Sequence, residues 1–289
     1  MFAQAIQLLE TCTMPVIITS RHTDGSLSSG CGTFIVLNKD GWILTAAHII
    51  EQLTLPSKHK AEATAYENAR LQIEQAAHIP KHIRKAKLRE LKQNPKWVTH
   101  QAAMWGWPTT NISDLRGDPF KDIAVGRLLN FDPNSMKNYP VFKNPKEPMP
   151  PGTSLCRLGY PFHQINATFE NGQFGLADGV LPVPRFPNDG IFTRNVNFLS
   201  PDKVQRVLLL ETSTPGLRGQ SGGPIFDIQG RVWALQSRTQ SLPLGFAPEI
   251  QDGNRKIVEH QFMHVGWGTH VEEIVAFLSS QKVDFQISG

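Results

Sequence analysis

The chain has 289 residues, of which 40% are hydrophobic and 19% are charged. This composition is ordinary for a globular protein and excludes a disordered chain, a coiled coil and a collagen-like repeat. At roughly 150 residues per domain, the length predicts about two domains. The formal net charge of +4 favours an acidic partner only weakly, because the positive excess is confined to residues 51–100, with ten Lys or Arg against five Glu.

No apolar run approaches the ~18 residues that a membrane-spanning helix needs. The N-terminus has no cationic leader and carries Glu10, which is not typical of a signal peptide. The three cysteines, Cys12, Cys31 and Cys156, are an odd and sparse set that argues against a disulfide framework, and we expect each to be a small buried side chain. We therefore expect no membrane span and a reducing, cytoplasmic location.

The first fifty residues are predicted to be β-structure, and six short apolar runs bounded by turn residues predict strands along the chain. They cover residues 33–37, 42–45, 154–159, 204–212, 224–227 and 232–238. Between the first two runs, residues 38–41 predict a tight turn, because Gly41 can adopt a positive φ at low cost. Six prolines between residues 132 and 152 predict a linker between two β-rich halves.

Three segments predict helices. Residues 61–77 are rich in Ala, Glu, Gln and Leu, and residues 81–93 form a second, strongly basic stretch. Near the C-terminus, Thr269 and Glu272 have the spacing of a capping box, which predicts that Thr269 caps a final helix. Apolar residues then recur at helical spacing at positions 271, 274, 275 and 278, which predicts a helix packed on the body of the protein.

Chemistry is concentrated in three further segments, one at the end of a predicted strand, one at the start of a strand and one in a glycine-rich turn. Each of them alone is usually structural, but the three together in this order indicate a catalytic site. They are Thr45-Ala46-Ala47-His48, Asp122-Ile123-Ala124-Val125 and Gly219-Gln220-Ser221-Gly222-Gly223-Pro224.

These segments resemble the histidine, aspartate and serine motifs of the trypsin-like, or chymotrypsin-fold, serine peptidases. In particular the chain is similar to the bacterial type without disulfides, such as the protease domain of the high-temperature-requirement proteins. The resemblance covers about residues 28–50, 118–128 and 153–279. It implies an all-β fold with helical additions: two perpendicular six-stranded β-barrels, a helical insertion in the first barrel and a C-terminal α-helix.

The same resemblance implies a division of the chain into three parts. Residues 1–140 would form the N-terminal barrel with the histidine and the aspartate, and residues 51–117 would be its basic helical insertion. Residues 141–152 would link the barrels, and residues 153–289 would form the C-terminal barrel with the serine and the final helix. A bacterial, cytoplasmic protein is expected.

A catalytic site of this kind needs a base, because a serine hydroxyl is a poor nucleophile at neutral pH. His48 would take the proton of Ser221, and Asp122 would fix the tautomer of His48 and stabilise its positive charge. The backbone N–H groups of Gly219 and Ser221 would form the oxyanion hole. The segment also fits the Gly-x-Ser-x-Gly elbow of the α/β-hydrolases, but that fold needs a helix after the serine and the order Ser, Asp, His. Gly222-Gly223-Pro224 opposes a helix and the order here is His, Asp, Ser, so we reject this interpretation.

The sequence indicates less about the substrate-specificity pocket than about the catalytic residues. The position that holds an Asp in the Arg- or Lys-specific enzymes holds Pro215, and the position that holds a His in the Glu-specific enzymes holds Gln236. Activation by cleavage of the N-terminus is not expected, because Gln220 occupies the place of the acid that would pair with the new terminus. The candidate substrate-binding residues are Pro215, Arg218, Gln220, Gln236, Ser237 and Arg238.

The predicted function is hydrolysis of protein peptide bonds by a serine endopeptidase. The alternative is a catalytically silent binding module, which would dock protein partners or acidic surfaces through the basic insertion. A third interpretation is a peptidase that is inactive alone and is activated by a protein partner that contacts residues 51–117. Nucleic acid is not expected, because the basic segment has no interleaved aromatic residues and no zinc-ligand spacing. We expect no cofactor and no metal.

Overall fold

Strands make up most of the regular structure of the chain. The structure is a computed structural model that describes residues 1–108, 110–252 and 255–289. In chain order the strands are β1 (Thr13–His22), β2 (Leu27–Val36), β3 (Trp42–Thr45), β4 (Val98–Trp105), β5 (Ile112–Asp118), β6 (Ile123–Leu128), β7 (Val141–Phe142), β8 (Ser154–Gly159), β9 (Ala167–Glu170), β10 (Gln173–Leu176), β11 (Phe186–Leu199), β12 (Arg206–Thr212), β13 (Pro224–Phe226), β14 (Arg231–Pro243), β15 (Glu249–Asp252), β16 (Arg255–Val258), β17 (Phe262–His270) and β18 (Gln286–Ile287). The helices are α1 (Ala3–Leu9), α2 (Ala47–Gln52), α3 (Leu55–Gln75), α4 (Lys81–Glu90) and α5 (Val271–Ser280), with a 3₁₀ turn at Pro133–Ser135.

The first sheet has six strands in the order β4-β1-β2-β3-β6-β5, and all of its pairings are antiparallel. The predicted hairpin between β2 and β3 is confirmed. Gly41 has a φ of +78°, and the Asn38 side chain accepts hydrogen bonds from the backbone N–H groups of Asp40 and Trp42. Such an Asx turn fixes the strand register locally.

The second sheet contains a closed ring of six strands, β13-β8-β11-β12-β17-β14, in which β13 also pairs with β14. Two short strands, β7 and β18, extend this sheet in parallel at the β14 edge, so it has eight strands in all. The predicted fold class is confirmed: two curled sheets, helical additions and a C-terminal helix. The two parallel edge strands are an addition that the sequence does not predict.

One apolar core joins the two sheets and the C-terminal helix. It contains Phe34 and Leu44 of the first sheet, Leu158 and Phe226 of the second, and Leu278 of α5, each of which is fully buried. Side chains of this size each contribute about 1.5–3 kcal/mol on burial. Because the core crosses from one sheet to the other, it sets the position of the cleft between them.

The predicted helices at residues 61–77 and 81–93 are confirmed as α3 and α4, with shifted ends. They carry no buried residue, and α3 is held to the first sheet by two residues, one directly before β4 and one at its start. Trp97 donates its indole N–H to Glu62 at 2.7 Å, and the N–H of Val98 donates to His59 at 2.8 Å. Within residues 51–117 the helical part ends at α4, since β4 and β5 are strands of the first sheet.

Two local predictions are wrong. The first fifty residues are not all β-structure, because α1 lies within them and α2 begins at Ala47. The cap of α5 is His270 and not Thr269: the ring of His270 accepts the N–H of Glu272 at 3.1 Å, whereas the Thr269 hydroxyl donates to the Lys121 carbonyl at 2.6 Å. The apolar face of α5 is confirmed. Among the described helices none is long and apolar enough to cross a membrane.

Candidate active site

Strand pairing in the first sheet brings the histidine and the aspartate segments together. His48 lies in the first turn of α2, directly after β3, and Asp122 lies directly before β6. The strands β3 and β6 are antiparallel neighbours, with Thr45 opposite Ala124. The end of one strand and the start of the other therefore share one edge of the sheet, although 74 residues of sequence separate the two side chains.

His48 and Asp122 form a closely bonded pair. The Nδ1 atom of His48 lies 2.9 Å from Oδ1 and 3.0 Å from Oδ2 of Asp122, and the backbone N–H of His48 also donates to Oδ1 at 3.1 Å. The Asp122 side chain is 8% exposed and the His48 side chain 41%. The pair thus has a buried carboxylate and an imidazole whose other edge is open to solvent.

The charge of Asp122 is stabilised by donors from both sheets. Burial alone would raise the pKa of Asp122, but the hydrogen bond and the charge of His48 outweigh it, and the Ser237 hydroxyl adds a further donor, so that the pKa lies below its ordinary value. The carboxylate is therefore ionised at neutral pH. An ionised carboxylate at Nδ1 holds the proton on that nitrogen and leaves Nε2 as the basic atom.

Ser221 lies in a tight turn that docks against the first sheet. Gly219 and Gly222 have φ angles of +101° and +80°, and a Cβ atom at Gly219 would lie 2.3 Å from the carbonyl oxygen of Tyr160. From β2, Thr33 donates its N–H to the Ser221 carbonyl at 2.9 Å and its hydroxyl to the Gly219 carbonyl at 2.7 Å. Glycine is required here both by the positive φ and by the close approach of backbone to backbone.

The turn leaves two backbone donors pointing to no protein acceptor. Within the described part of the chain, the N–H groups of Gly219 and Ser221 make no hydrogen bond. The Ser221 hydroxyl donates to the Ser237 carbonyl at 3.4 Å, and no hydrogen bond joins it to His48 among these residues. After Ser221 comes strand β13 and not a helix, which excludes the elbow of the α/β-hydrolases.

A cavity of about 580 Å³ connects these groups. Its lining includes His48, Ser221 and Gly219, together with four of the candidate substrate-binding residues. Those four are Arg218, Gln236, Ser237 and Arg238. The lining does not include Asp122, Pro215 or Gln220; Asp122 and Gln220 are buried, and Pro215 is partly exposed. Over the described residues, no group of three or more His, Cys, Asp or Glu side chains could hold a metal ion.

The sequence profile of the trypsin-like peptidase domain matches residues 32–235, which contain all three predicted motifs. The chain belongs to the family of trypsin-like peptidases. No curated protein sequence matches it.

Solved structures of proteases share the fold of this trypsin-like peptidase. The structure of the Rv3671c protease from M. tuberculosis in its active form is 14% identical, with a TM-score of 0.50, and the match covers 98% of this chain and 86% of that one. The HtrA-type protease AlgW with a tripeptide is 13% identical, with a TM-score of 0.50, over 97% of this chain and 63% of that one. The resemblance to the protease domain of high-temperature-requirement proteins is thus confirmed for the fold.

Gln220 and Pro215 adjoin the residues that line the cavity. Gln220 is fully buried, and its side-chain oxygen accepts the N–H of Leu217 at 2.9 Å, which braces the serine turn. The Pro215 carbonyl accepts hydrogen bonds from Arg157 at 2.8 Å and from Asn188 at 3.0 Å. Gln220 is therefore buried beneath the serine turn, whereas Pro215 is partly exposed but does not belong to the cavity lining.

Gln236 lies at the floor of the cavity and is 2% exposed. Its side-chain N–H₂ donates to the carbonyls of Arg238 and Trp267, whereas its Oε1 atom has no hydrogen-bond partner among the described residues. The amide packs so closely against Gly216 that a Cβ atom there would lie 2.1 Å from Nε2. The absence of a side chain at Gly216 therefore leaves room for the Gln236 amide beside the cavity.

Of the three cysteines, Cys12 and Cys156 are buried as predicted, but Cys31 is only partly buried and lines the cavity that also contains His48 and Ser221. Burial raises the pKa of the Cys31 thiol to about 12. The thiol is therefore protonated at neutral pH and contributes an apolar contact to the cleft, since only the thiolate is a good nucleophile. The sequence does not predict that Cys31 and Gly216 line this cavity, because neither residue belongs to one of the three motifs.

Proposed function

We propose that this chain is a serine endopeptidase in which Ser221, His48 and Asp122 act as a catalytic triad through an acyl-enzyme. The observation that carries the proposal is the bonded His48–Asp122 pair, whose open imidazole edge lies in the same cavity as the Ser221 hydroxyl. Membership of the trypsin-like peptidases and the protease fold support it. The residue roles are our assignment.

In the proposed mechanism, Ser221 Oγ attacks the carbonyl carbon of the scissile bond while His48 Nε2 takes the hydroxyl proton. The negative charge on the former carbonyl oxygen is accepted by the N–H groups of Gly219 and Ser221. The C–N bond then breaks, and His48 gives its proton to the leaving amine. A water molecule, deprotonated by the same nitrogen, hydrolyses the resulting ester and restores Ser221.

We propose that the Ser221 hydroxyl exchanges its long contact with the Ser237 carbonyl for a hydrogen bond to His48 when a substrate fills the cavity. The 3.4 Å distance to the Ser237 carbonyl supports this, because a bond of that length is weak and easily replaced. Catalytic hydrogen bonds are often long in the free enzyme and tighten in the substrate complex.

A fluorophosphonate probe tests the proposal directly. The intact chain should become covalently labelled on Ser221, Ser221→Ala should not react, and Ser29→Ala should react like the wild type, because Ser29 is another serine of the same cavity. Digestion of a mixed peptide library should give internal cleavages with the wild type and with Ser29→Ala, but not with Ser221→Ala. Absence of labelling and of cleavage in a folded preparation would contradict the assignment.

We also propose that the helices α3 and α4 receive an activating protein partner. Support comes from their lack of buried residues and from the concentration of positive charge on residues 81–92. The double variant Lys85→Glu, Lys87→Glu should keep the basal peptide hydrolysis and lose any stimulation by cell extract, whereas Lys39→Glu, an exposed lysine elsewhere, should keep both. Full biological effect in Ser221→Ala would instead favour the binding module.

The division into residues 1–140, 141–152 and 153–289 stays a prediction, and so does a bacterial cytoplasmic location. Under our proposal, the His48 and Asp122 segments come from the first part and the Ser221 segment from the third. Catalysis would then depend on the core that joins the two sheets.

A further inference from the structure

The active-site cavity has an unbalanced charge. Two arginines, Arg218 and Arg238, line it, and no Asp or Glu of the described residues does. The carboxylate of Asp122 lies behind the lining, but it is already bonded to His48 and Ser237. Arg218 is exposed and makes no hydrogen bond or ion pair with a described residue. Arg238 is partly buried, stacks over the Phe198 ring at 5.4 Å and donates a long hydrogen bond to the Ser237 hydroxyl. Neither guanidinium has a carboxylate partner in the described chain.

A third arginine lies behind the cavity wall. Arg157 comes from β8 and is 2% exposed. Its guanidinium donates to the Pro215 carbonyl at 2.8 Å, to the Thr214 hydroxyl at 3.1 Å and to the Thr212 hydroxyl. These contacts place it directly behind Pro215, whose chain neighbour Gly216 lines the cavity.

Arg157 has no carboxylate within ion-pair distance among the described residues, and its Nε–H group has no acceptor. The contrast is Arg194, on the neighbouring strand β11, which pairs with Glu211 at 2.9 Å. Burial lowers the pKa of Arg157 to about 10, so the group still carries its charge at neutral pH. An unpaired buried cation costs free energy that a nearby negative charge would recover.

We propose that the cleft selects substrates with an acidic side chain, Asp or Glu, next to the scissile bond, and that Arg157, Arg218 and Arg238 supply the complementary charge. The inference rests on the proposed peptidase function. It concerns the side chain of the substrate residue before the scissile bond, whose backbone carbonyl would face the N–H groups of Gly219 and Ser221. That side chain would lie along the wall formed by residues 216–218 and 236–239, which includes Arg218 and Arg238. Arg157 adjoins this wall through its hydrogen bond to the carbonyl of Pro215, the residue before Gly216.

Electrostatics also defines what the cleft should reject. A Lys or Arg side chain at the same place would add a fourth positive charge, and like charges across an interface lower affinity strongly. A Gln or Asn side chain is the neutral alternative, because its amide N–H₂ could donate to the unpaired Oε1 of Gln236. It would leave all three arginines without a counter-charge, and we therefore favour the acid.

Binding to the full chain carrying Ser221→Ala separates these cases. The probes are fluorescent peptides of one sequence that differ only at the residue before the scissile bond, which is Glu, Asp, Gln, Ala or Lys. Their binding is measured by fluorescence anisotropy at low salt and at 0.5 M salt, a concentration that shortens the Debye length to about 4 Å. The Glu and Asp peptides should bind at least about tenfold more tightly than the Gln peptide, and the Lys peptide most weakly. The preference should shrink at high salt.

Charge variants in the same background locate the effect. Arg218→Met and Arg238→Met should each reduce the Glu-over-Gln ratio several-fold, because each removes one cavity charge. Arg157→Met should reduce the Glu-over-Gln ratio as well. Arg157→Lys is a second variant in case Met is not accommodated in the core, and because it keeps the charge it should retain most of the ratio. Arg127→Met is the matched control, because Arg127 is an exposed arginine of β6 away from the cavity, and it should leave the ratio unchanged.

Equal binding of the Glu, Gln and Ala peptides, or tighter binding of the Gln or Lys peptide, would overturn the inference. Labelling of wild-type Ser221 by the fluorophosphonate probe keeps the two proposals distinct. A chain that labels and cleaves after apolar or basic residues would be a peptidase without this selectivity. A chain that does not label, yet binds the Glu peptide selectively, would have the acidic recognition without the chemistry.

Discussion

Ser237 of the second sheet donates its hydroxyl to Asp122 of the first sheet, at 2.5 Å from Oδ2. The same residue accepts the Ser221 hydroxyl with its backbone carbonyl. One residue of β14 therefore contacts both the carboxylate that lies beside His48 and the proposed nucleophile. This link makes the relative position of the two sheets part of the site, because neither sheet alone provides all of these contacts.

Removal of this hydroxyl should weaken catalysis and change its pH dependence. In Ser237→Ala the carboxylate loses a donor, so the pKa of Asp122 rises and the His48–Asp122 pair binds its proton more tightly. The acid limb of kcat/KM should therefore move to higher pH, and kcat/KM near neutral pH should fall roughly tenfold, the effect typical of a lost hydrogen bond to a charged group. Ser241→Ala, which removes a hydroxyl further along β14, is the control. An unchanged acid limb would show that the bond does not tune the pair.

A side chain at Gly219 should abolish most of the activity. At a φ of +101° and with only 2.3 Å between a Cβ atom and the Tyr160 carbonyl oxygen, Gly219→Ala must move the backbone that carries the proposed oxyanion donor. Loss of one such donor costs about 100- to 1000-fold in rate, and Gly219→Val should lose at least as much. Gly152→Ala is the matched control, because Gly152 also has a positive φ, +89°, but nothing within 4 Å of its Cβ position. Comparable kcat/KM values in the two alanine variants would contradict the role of Gly219.

The sequence predicts those features that local pattern determines and misses those that depend on contacts distant in the chain. The β2–β3 hairpin follows from Asn38 and Gly41, and the apolar face of α5 follows from spacing alone. The role of Ser237 depends on a contact between residues 115 positions apart, and Arg157 is one charged residue in a short apolar strand. The cap of α5 was misassigned because the Thr269 hydroxyl bonds to a carbonyl of the first sheet, a partner that lies far away in sequence.

Truncation of Leu278 should destabilise the protein without direct damage to the site. Leu278 is fully buried where α5 meets the core that joins the sheets. The variant Leu278→Ala should lose about 2–5 kcal/mol in the free energy of unfolding, as measured by urea denaturation, because a cavity remains where the side chain was. Ser279→Ala changes an exposed neighbour on the same helix and should lose little. At temperatures where Leu278→Ala is folded, its kcat/KM should equal that of the wild type, because α5 does not line the cavity.

His270 should make the protein less stable in mild acid. Its ring is 7% exposed and accepts the N–H of Glu272 at the start of α5, and burial lowers its pKa to about 4 although Glu273 acts in the opposite direction. A histidine in the unfolded chain has a pKa of about 6.5. Between these two values the unfolded state binds the proton and the folded state does not, so stability is complete above pH 6.5 and is lost as the pH falls toward 4.

The expected loss from this group is about 2 kcal/mol between pH 7 and pH 5. His270→Asn keeps an N-cap oxygen for the Glu272 N–H and removes the titration. Urea unfolding of the wild type and of this variant at both pH values isolates the contribution, because the other titrating groups are the same in the two chains. The variant should be the less stable chain at pH 7 if its smaller side chain leaves a cavity, but its stability should fall by about 2 kcal/mol less than that of the wild type on acidification. Equal losses of stability in the two chains would show that, at pH 5, His270 is protonated in the folded state as well as in the unfolded state.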